Sequence, residues 1–224
     1  MGQETQHETV VVVAGGPGEI RPRLEIPAEA PVVAADSGVD RALALGLRIE
    51  VAVGDFDSVT PDGLEAARTE GVRIERHPRD KDATDLELAL DTAANLQPTR
   101  LVVLGSSGGR LDHLLSTLLL LGSDRFGGYE LDAALGSSIV HVIRGERRLT
   151  GTVGELISLL ALHGAAAGVT TEGLRFPLLG ETLEPGSSRG VSNVFASPDA
   201  RIEVQHGVLL AIRPGNEMYE RSTS

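Results

Sequence analysis

The chain reads as an α/β protein in two parts: a parallel sheet wrapped by helices over residues 1–136, then a smaller all-β sandwich over 137–224. Three observations lead there. Short aliphatic runs without polar alternation fill the first half, as expected of strands buried on both faces. Helical patterns lie between several of them, and such alternation is the signature of a parallel sheet. After about Leu135 the helical patterns stop, and short apolar runs follow one another, split by Gly, Pro and Ser.

In order, residues 10–14, 32–35, 49–53, 72–75 and 101–104 read as strands, and 39–45, 62–69, 85–96 and 111–121 as helices. The helix starts carry recognisable caps: Ser37 with Asp40, Thr60 before Pro61, and Thr84 with Glu87 as a capping box. The leucine-rich stretch 111–121 is the most apolar segment. Its eleven residues, broken by Asp112 and His113, are too few to span a bilayer, so it is expected to be a buried helix. Beyond it, 139–143, 156–162, 167–171, 191–195, 202–205 and 208–212 read as strands, with a tight boundary near Gly136.

Composition bounds the function. The 224 residues are 41% hydrophobic, enough for a real core, and a formal charge of −12 with no basic run longer than Arg147-Arg148 argues against nucleic-acid or anionic-membrane partners. Without cysteine there is no disulfide framework, thiolate nucleophile or thiolate zinc site. The first eight residues lack the apolar stretch of a secretory signal, and Gln6 spoils a myristoylation pattern, so a cytoplasmic protein is expected.

Two aspartate-rich segments, Gly54-Asp55-Phe56-Asp57-Ser58 and Asp80-Lys81-Asp82-Ala83-Thr84-Asp85, follow strands and read as one site. Carboxylates brought together repel by roughly 4 kcal/mol per pair at 4 Å and an effective dielectric of 20, so a fold that gathers several protonates some or binds a cation. Oxygen-only ligands suit Mg²⁺, which commonly bridges carboxylates to substrate phosphates. Phe56 is expected to turn into the core and leave Asp55 and Asp57 together on the opposite side. The turn 105–110, Gly-Ser-Ser-Gly-Gly-Arg, precedes an apolar helix, a place where backbone N–H groups and a guanidinium are able to meet an anion. Gly15-Gly16-Pro17-Gly18 and Asp36-Ser37-Gly38 extend the same rim of strand carboxyl ends, where open α/β sheets bind ligands. Arginine outnumbers lysine nineteen to one, and the one lysine is Lys81: either it meets phosphate or it merely pairs with Asp80 or Asp82.

Taken together these residues resemble the thiamin pyrophosphokinase family, whose members move a diphosphate from ATP to the hydroxyl of thiamin. The likeness runs through Ala35-Asp36-Ser37-Gly38, the 54–58 turn, the segment from Lys81 to Glu87, and Gly108-Gly109-Arg110-Leu111-Asp112-His113. It continues in Gly173-Leu174-Arg175-Phe176-Pro177-Leu178 and Val191-Ser192-Asn193. The resemblance implies a Rossmann-like catalytic domain, a β-sandwich, and a homodimer with active sites between subunits. Asp55, Asp57 and Asp85, together with Asp36, are expected to hold Mg²⁺ directly or through water, with Asp55, Asp57 and Asp85 as the catalytic carboxylates and Asp57 or Asp85 accepting the hydroxyl proton. Ser37, Lys81, Asp82, Thr84, Gly108, Gly109, Arg110, Asp112 and His113 are expected to contact ATP. Ser192, Asn193 and Phe195 are expected to contact thiamin, with Val194 and Phe195 standing in the region where the family often carries a stacking aromatic.

Plainer readings stand beside several of these. Asp85 and Asp112 complement helix dipoles, His113 suits a half-buried histidine, Phe195 suits sandwich core, and Ser192 with Asn193 suits a turn. The remaining histidines, His7, His77, His141, His163 and His206, show no metal-ligand spacing. Three rival functions share part of the pattern: a diphosphokinase acting on another acceptor such as a hydroxymethyl pterin, a nucleotide-sugar transferase using Asp55-Phe56-Asp57 as its metal motif, and a regulatory nucleotide-binding protein without turnover, for which so many carboxylates are not needed.

Overall fold

A computed structural model of the chain describes residues 8–21 and 23–215; His7, and all but Glu8 of the first eight residues, lie outside the described residues. The described residues form two compact units, one of those up to Thr117 with Gly128–Gly136, the other of Leu118–Gly127 with those from Ser137 onward. No helix among the described residues is long and apolar enough to cross a membrane.

The first unit holds β1 (Thr9–Val13), β2 (Val32–Ala35), β3 (Ile49–Gly54), β4 (Arg73–Arg76), β5 (Arg100–Gly105) and β6 (Glu130–Leu135). They lie in the order β6-β5-β1-β2-β3-β4, all pairs parallel. Helices α1 (Gly38–Ala44), α2 (Pro61–Thr69), α3 (Asp85–Ala94) and α4 (Leu111–Leu121) follow β2, β3, β4 and β5. The order reverses at β1, with β2 to β4 stepping away on one side and β5 and β6 on the other, which opens a crevice at the carboxyl ends of β1 and β5. Uninterrupted valine explains the central place of β1, whose residues 10–13 have no exposed surface. Val11, Val13, Val32, Ala34, Ala52, Val102 and Leu104 form the core with Val39, Ala42 and Ala67 from the helices.

Local chemistry sets the helix starts. The Thr60 hydroxyl accepts from the backbone N–H of Gly63 at 3.0 Å, and the Thr84 hydroxyl from that of Glu87 at 3.2 Å. Ser37 makes no side-chain cap, and its expected partner Asp40 instead accepts from Thr60 N and Oγ1 at 2.9 and 2.5 Å, tying α1 to the start of α2. At Gly38 a Cβ would strike the Val13 carbonyl, so glycine lets α1 begin against the end of β1.

One strand has no signal in the sequence, and one expectation is corrected. Strand β6 is hidden in the sequence because Asp132 interrupts its apolar run; Arg100 on the neighbouring β5 neutralises that buried carboxylate at 2.9 Å. Helix α4 is not buried. Leu111, Leu115 and Leu119, one stripe at four-residue spacing, are 78%, 54% and 39% exposed, and only Leu121 is enclosed.

The second unit is antiparallel. Its strands are β7 (Ser138–Thr150), β8 (Leu156–Glu172), β9 (Leu179–Leu183), β10 (Asn193–Val194) and β11 (Asp199–Arg213). β11 lies between β7 and β8, and β9 and β10 pair with β8. In sequence β8 and β11 each look like two strands, because His163-Gly164 and His206-Gly207 resemble turns. They are bends within long strands. Gly145 (φ 78), Gly164 (φ 154) and Gly207 (φ 92) bend all three strands at one level, where the β11 registers shift. Residues from both sides of the bend, Ile143, Leu159 and Leu209 with Leu149, Val169 and Ile202, share one core. Strand β9 is not legible in the sequence, because its exposed Leu179 and Gly180 give no buried alternation.

Candidate active site

Three carboxylates converge at the ends of β2 and β3. One oxygen each from Asp36, Asp55 and Asp57 lies within 4.8 Å of the others. The Asp55-Phe56-Asp57 turn accomplishes this by placing Phe56 in the left-handed region (φ 63) with its ring in the core, so that its neighbours face the other way. Asp36 is likewise left-handed (φ 45), a conformation that costs a residue with a Cβ on the order of 1–2 kcal/mol. Strain at two carboxylate-bearing turns is the kind of feature that persists where surrounding structure enforces it.

The oxygens are partly committed. Asp55 Oδ1 accepts from Asp57 N at 3.1 Å and Asp57 Oδ1 from the Ser58 hydroxyl at 2.8 Å, while Arg79 stands 3.4 Å from Asp57 Oδ2. Asp36 Oδ1 is buried without a hydrogen-bond partner. Burial pushes the Asp36 carboxyl above its ordinary range, and the charges of Asp85 and Asp55 add to the push; the Ser37 backbone N–H and the Ser58 hydroxyl offset part of it.

Asp85, at the first turn of α3, stands beside the trio. Gly54 (φ 148) makes room: a Cβ there would lie 3.0 Å from Asp85 Oδ1 and 3.3 Å from Asp36. Lys81 pairs with Asp85 rather than with Asp80 or Asp82, its ammonium 2.8 Å from Oδ1 without hydrogen-bond alignment. Only oxygen donors meet here, and the orphaned, buried Asp36 oxygen among them suits a cation. The donor set fits a hard ion such as Mg²⁺ and is wrong for softer metals.

A second group of candidate residues lies on the turn after β5. Gly108 N donates to Ser106 Oγ at 3.0 Å, the Ser106 hydroxyl donates to Pro17 O, and Arg41 donates to the carbonyls of Gly16 and Gly18. The two glycine-rich turns are thus fastened together across the crevice, with Gly109 (φ 89) against Pro17. Arg41 carries no signal in the sequence, where nothing distinguishes it from the other arginines. Arg110, exposed, grips Asp112 with bonds of 3.2 and 2.6 Å, and that hydrogen bond holds the Asp112 carboxyl down to about 2. His113 is exposed beside them, Asp82 is exposed, Ser37 is half-buried, and Thr84 is occupied in capping α3.

In the second unit the expected thiamin contacts fall differently. Phe195 is 1% exposed: its ring lies under Gly151, where a Cβ would come within 2.8 Å, with the Arg213 guanidinium 5.3 Å from its centroid. Arg213 is itself paired with Glu155 at 2.9 Å. A ring so enclosed has no open face, the core role weighed for it from sequence. Asn193, 4% exposed, spends its amide on backbone: Oδ1 accepts from Phe176 N and Val194 N at 3.0 and 2.9 Å, and Nδ2 donates to Phe176 O at 2.7 Å. Ser192 is exposed, left-handed (φ 59), and bonded through its N–H to Ser158. The aromatic that does face outward is Phe176, 53% exposed, with Arg175 5.7 Å from its centroid and both its backbone polar groups clamped by Asn193. Phe176 stands in the sequence only as part of a family motif, without a role of its own. Its signal is the scarcity of aromatics, since only four Phe and two Tyr occur and each has to be placed.

Acidic and glycine-rich turns gathered where a parallel α/β sheet reverses its order define a class of α/β proteins that bind ligands at the strand carboxyl ends. Comparison with known proteins narrows the class. Residues 25–127 match the model "Thiamin pyrophosphokinase, catalytic domain" and residues 140–209 the model "Thiamin pyrophosphokinase, vitamin B1 binding domain". The chain is 27% identical over 214 residues to a thiamine pyrophosphokinase of Bacillus subtilis, covering 92% of this chain and 98% of that protein. A crystal structure of a thiamin pyrophosphokinase family protein from Enterococcus faecalis superposes with a TM-score of 0.80 at 26% identity, over 93% of this chain and 100% of the other. Yeast thiamin pyrophosphokinase, at 15% identity and a TM-score of 0.69 over 93% of this chain and 86% of its own, shares the fold. The chain belongs to the thiamin pyrophosphokinase family.

Proposed function

We propose that the protein is a thiamine diphosphokinase, transferring the terminal diphosphate of ATP to the hydroxyl of thiamin to give thiamin diphosphate and AMP. The observation that carries this reading is the trio Asp36, Asp55 and Asp57 within 4.8 Å, in a chain matched along both its parts to this family. A bound Mg²⁺ would neutralise charge on the ATP phosphates, the main requirement of phosphoryl-type transfer. Asp36, Asp55 and Asp57 would hold it, with Asp85 alongside. Asp57 or Asp85 takes the proton of the attacking hydroxyl. The fastened glycine-rich turns offer backbone N–H groups to phosphate, and Arg110 with Asp112 and His113 stands at the same rim. Lys81, paired with Asp85 at 2.8 Å, brings a positive charge beside the carboxylates.

Phe176, rigidly presented, is the aromatic we assign to stacking on thiamin, in place of Phe195. The first unit we read as the Rossmann-like catalytic domain, and the sheet folded about Gly145, Gly164 and Gly207 as the β-sandwich. The exposed leucine stripe of α4 is the kind of surface a homodimer covers, and we propose a homodimer with active sites built by both subunits. The absence of cysteine suits the reducing cytoplasm, where we place the protein.

The test is to incubate the protein with ATP, Mg²⁺ and either thiamin or a hydroxymethyl pterin and to identify the nucleotide released. Thiamin-dependent AMP is expected. ADP would indicate an ordinary kinase, and AMP only with the pterin would reassign the acceptor.

A further inference from the structure

We infer that Arg76 is a positioning residue for the metal-binding turn: stacked on Phe56 and bonded to the Asp55 carbonyl, it holds Asp55 and Asp57 on one side. The inference rests on the metal reading above. Arg76 ends the edge strand β4, directly opposite Gly54 in register, and the next residue, His77, bonds back to Gly54 O at 2.9 Å. From that fixed base its guanidinium lies 5.1 Å from the Phe56 centroid, while Nη1 donates to Asp55 O at 3.0 Å. The two contacts grip both sides of the peptide that joins Asp55 to Phe56.

That peptide needs a grip. Phe56 is an aromatic residue at φ 63, where a bulky side chain does not rest of its own accord. If it relaxed to an ordinary conformation, the alternation that puts Phe56 inward and both carboxylates outward would be lost. The mutual repulsion of Asp36, Asp55 and Asp57 pushes in the same direction whenever no cation is bound. A planar fork can stack on a ring and donate in its own plane at once, which an ammonium cannot. Arg73, on the same strand, pairs with Glu75 at 2.9 Å instead, so pointing at the turn is a property of Arg76 and not of every arginine on this edge.

The experiment measures Mn²⁺ binding to the full chain, with Mn²⁺ alone as the probe, in wild type, Arg76→Met and Arg76→Lys, alongside thermal midpoints and the Mg²⁺ dependence of turnover. Mn²⁺ affinity is expected to weaken about tenfold in Arg76→Met and at least about threefold in Arg76→Lys, which keeps the charge but not the fork. The Mg²⁺ needed for half-maximal turnover should rise by the same factors, with KM for thiamin unmoved. Mn²⁺ affinity unchanged in whichever variant folds overturns the inference, including the case where only the thermal midpoint falls. A wild-type chain that takes up no Mn²⁺ overturns the metal reading itself, so the two failures are separated by the first titration.

Discussion

Asn193 is treated by its surroundings as a structural clamp, and that makes a quantitative demand. Asn193→Ala removes three hydrogen bonds from a side chain that is 4% exposed and strands the backbone N–H and carbonyl of Phe176. At about 0.5–1.5 kcal/mol for each bond, with the stranded groups toward the upper end, the loss is roughly 2–4 kcal/mol. For a chain of this size each kcal/mol moves the midpoint by about 2–4 °C, so differential scanning fluorimetry should register a fall of about 5–15 °C. Ser192→Ala is the control. Its hydroxyl is exposed and the Ser158 contact uses the backbone, so stability should stay within about 0.5 kcal/mol of wild type. Because the clamp presents Phe176, the KM for thiamin should rise in Asn193→Ala while that for ATP holds. A midpoint within about 2 °C of wild type would show that Asn193 is no clamp, since a solvent-facing, substrate-directed amide would behave that way.

Other outcomes follow from the carboxylates. Asp57 is exposed and its side chain meets only Ser58 and Arg79 among the described residues, so Asp57→Asn should lower turnover on the order of 10²-fold or more with the thermal midpoint near wild type; retained activity would remove it from the metal set. Asp36 carries a raised pKa in the folded chain, so above that pKa its ionised form weakens the metal-free fold, and the penalty fades as pH falls through the raised value toward the ordinary one. Metal-free Asp36→Asn should therefore melt above wild type at about pH 8, with the advantage shrinking on acidification, and Mg²⁺ should stabilise wild type more than the variant. An advantage that grew as pH fell would contradict the assignment.

Much of the first unit was legible because its strands are uniformly aliphatic and its helices begin at side-chain caps. Phe56 gave away the geometry of the 54–58 turn: an apolar residue between two acids has one comfortable direction. What stayed hidden depended on partners distant in sequence. Asp132 disguised β6 until Arg100, thirty-two positions earlier, was seen beside it. Lys81 could be assigned to phosphate or to an adjacent acid, and the i,i+4 geometry that joins it to Asp85 exists only once α3 is placed. Glycine misled in the second unit, because a bend shared by three paired strands and a turn between two have the same local composition. The exposure of Phe195 and Phe176 stayed hidden for a related reason, since motif position does not say which ring is enclosed and which is presented.

Attack on the β-phosphorus of ATP by the thiamin hydroxyl is followed with ATP labelled at its β-phosphate. With Mg²⁺ and thiamin present, the label should appear in thiamin diphosphate, mole for mole with unlabelled AMP. Label found in ADP, or remaining in ATP after prolonged incubation with active, folded protein, would contradict the account.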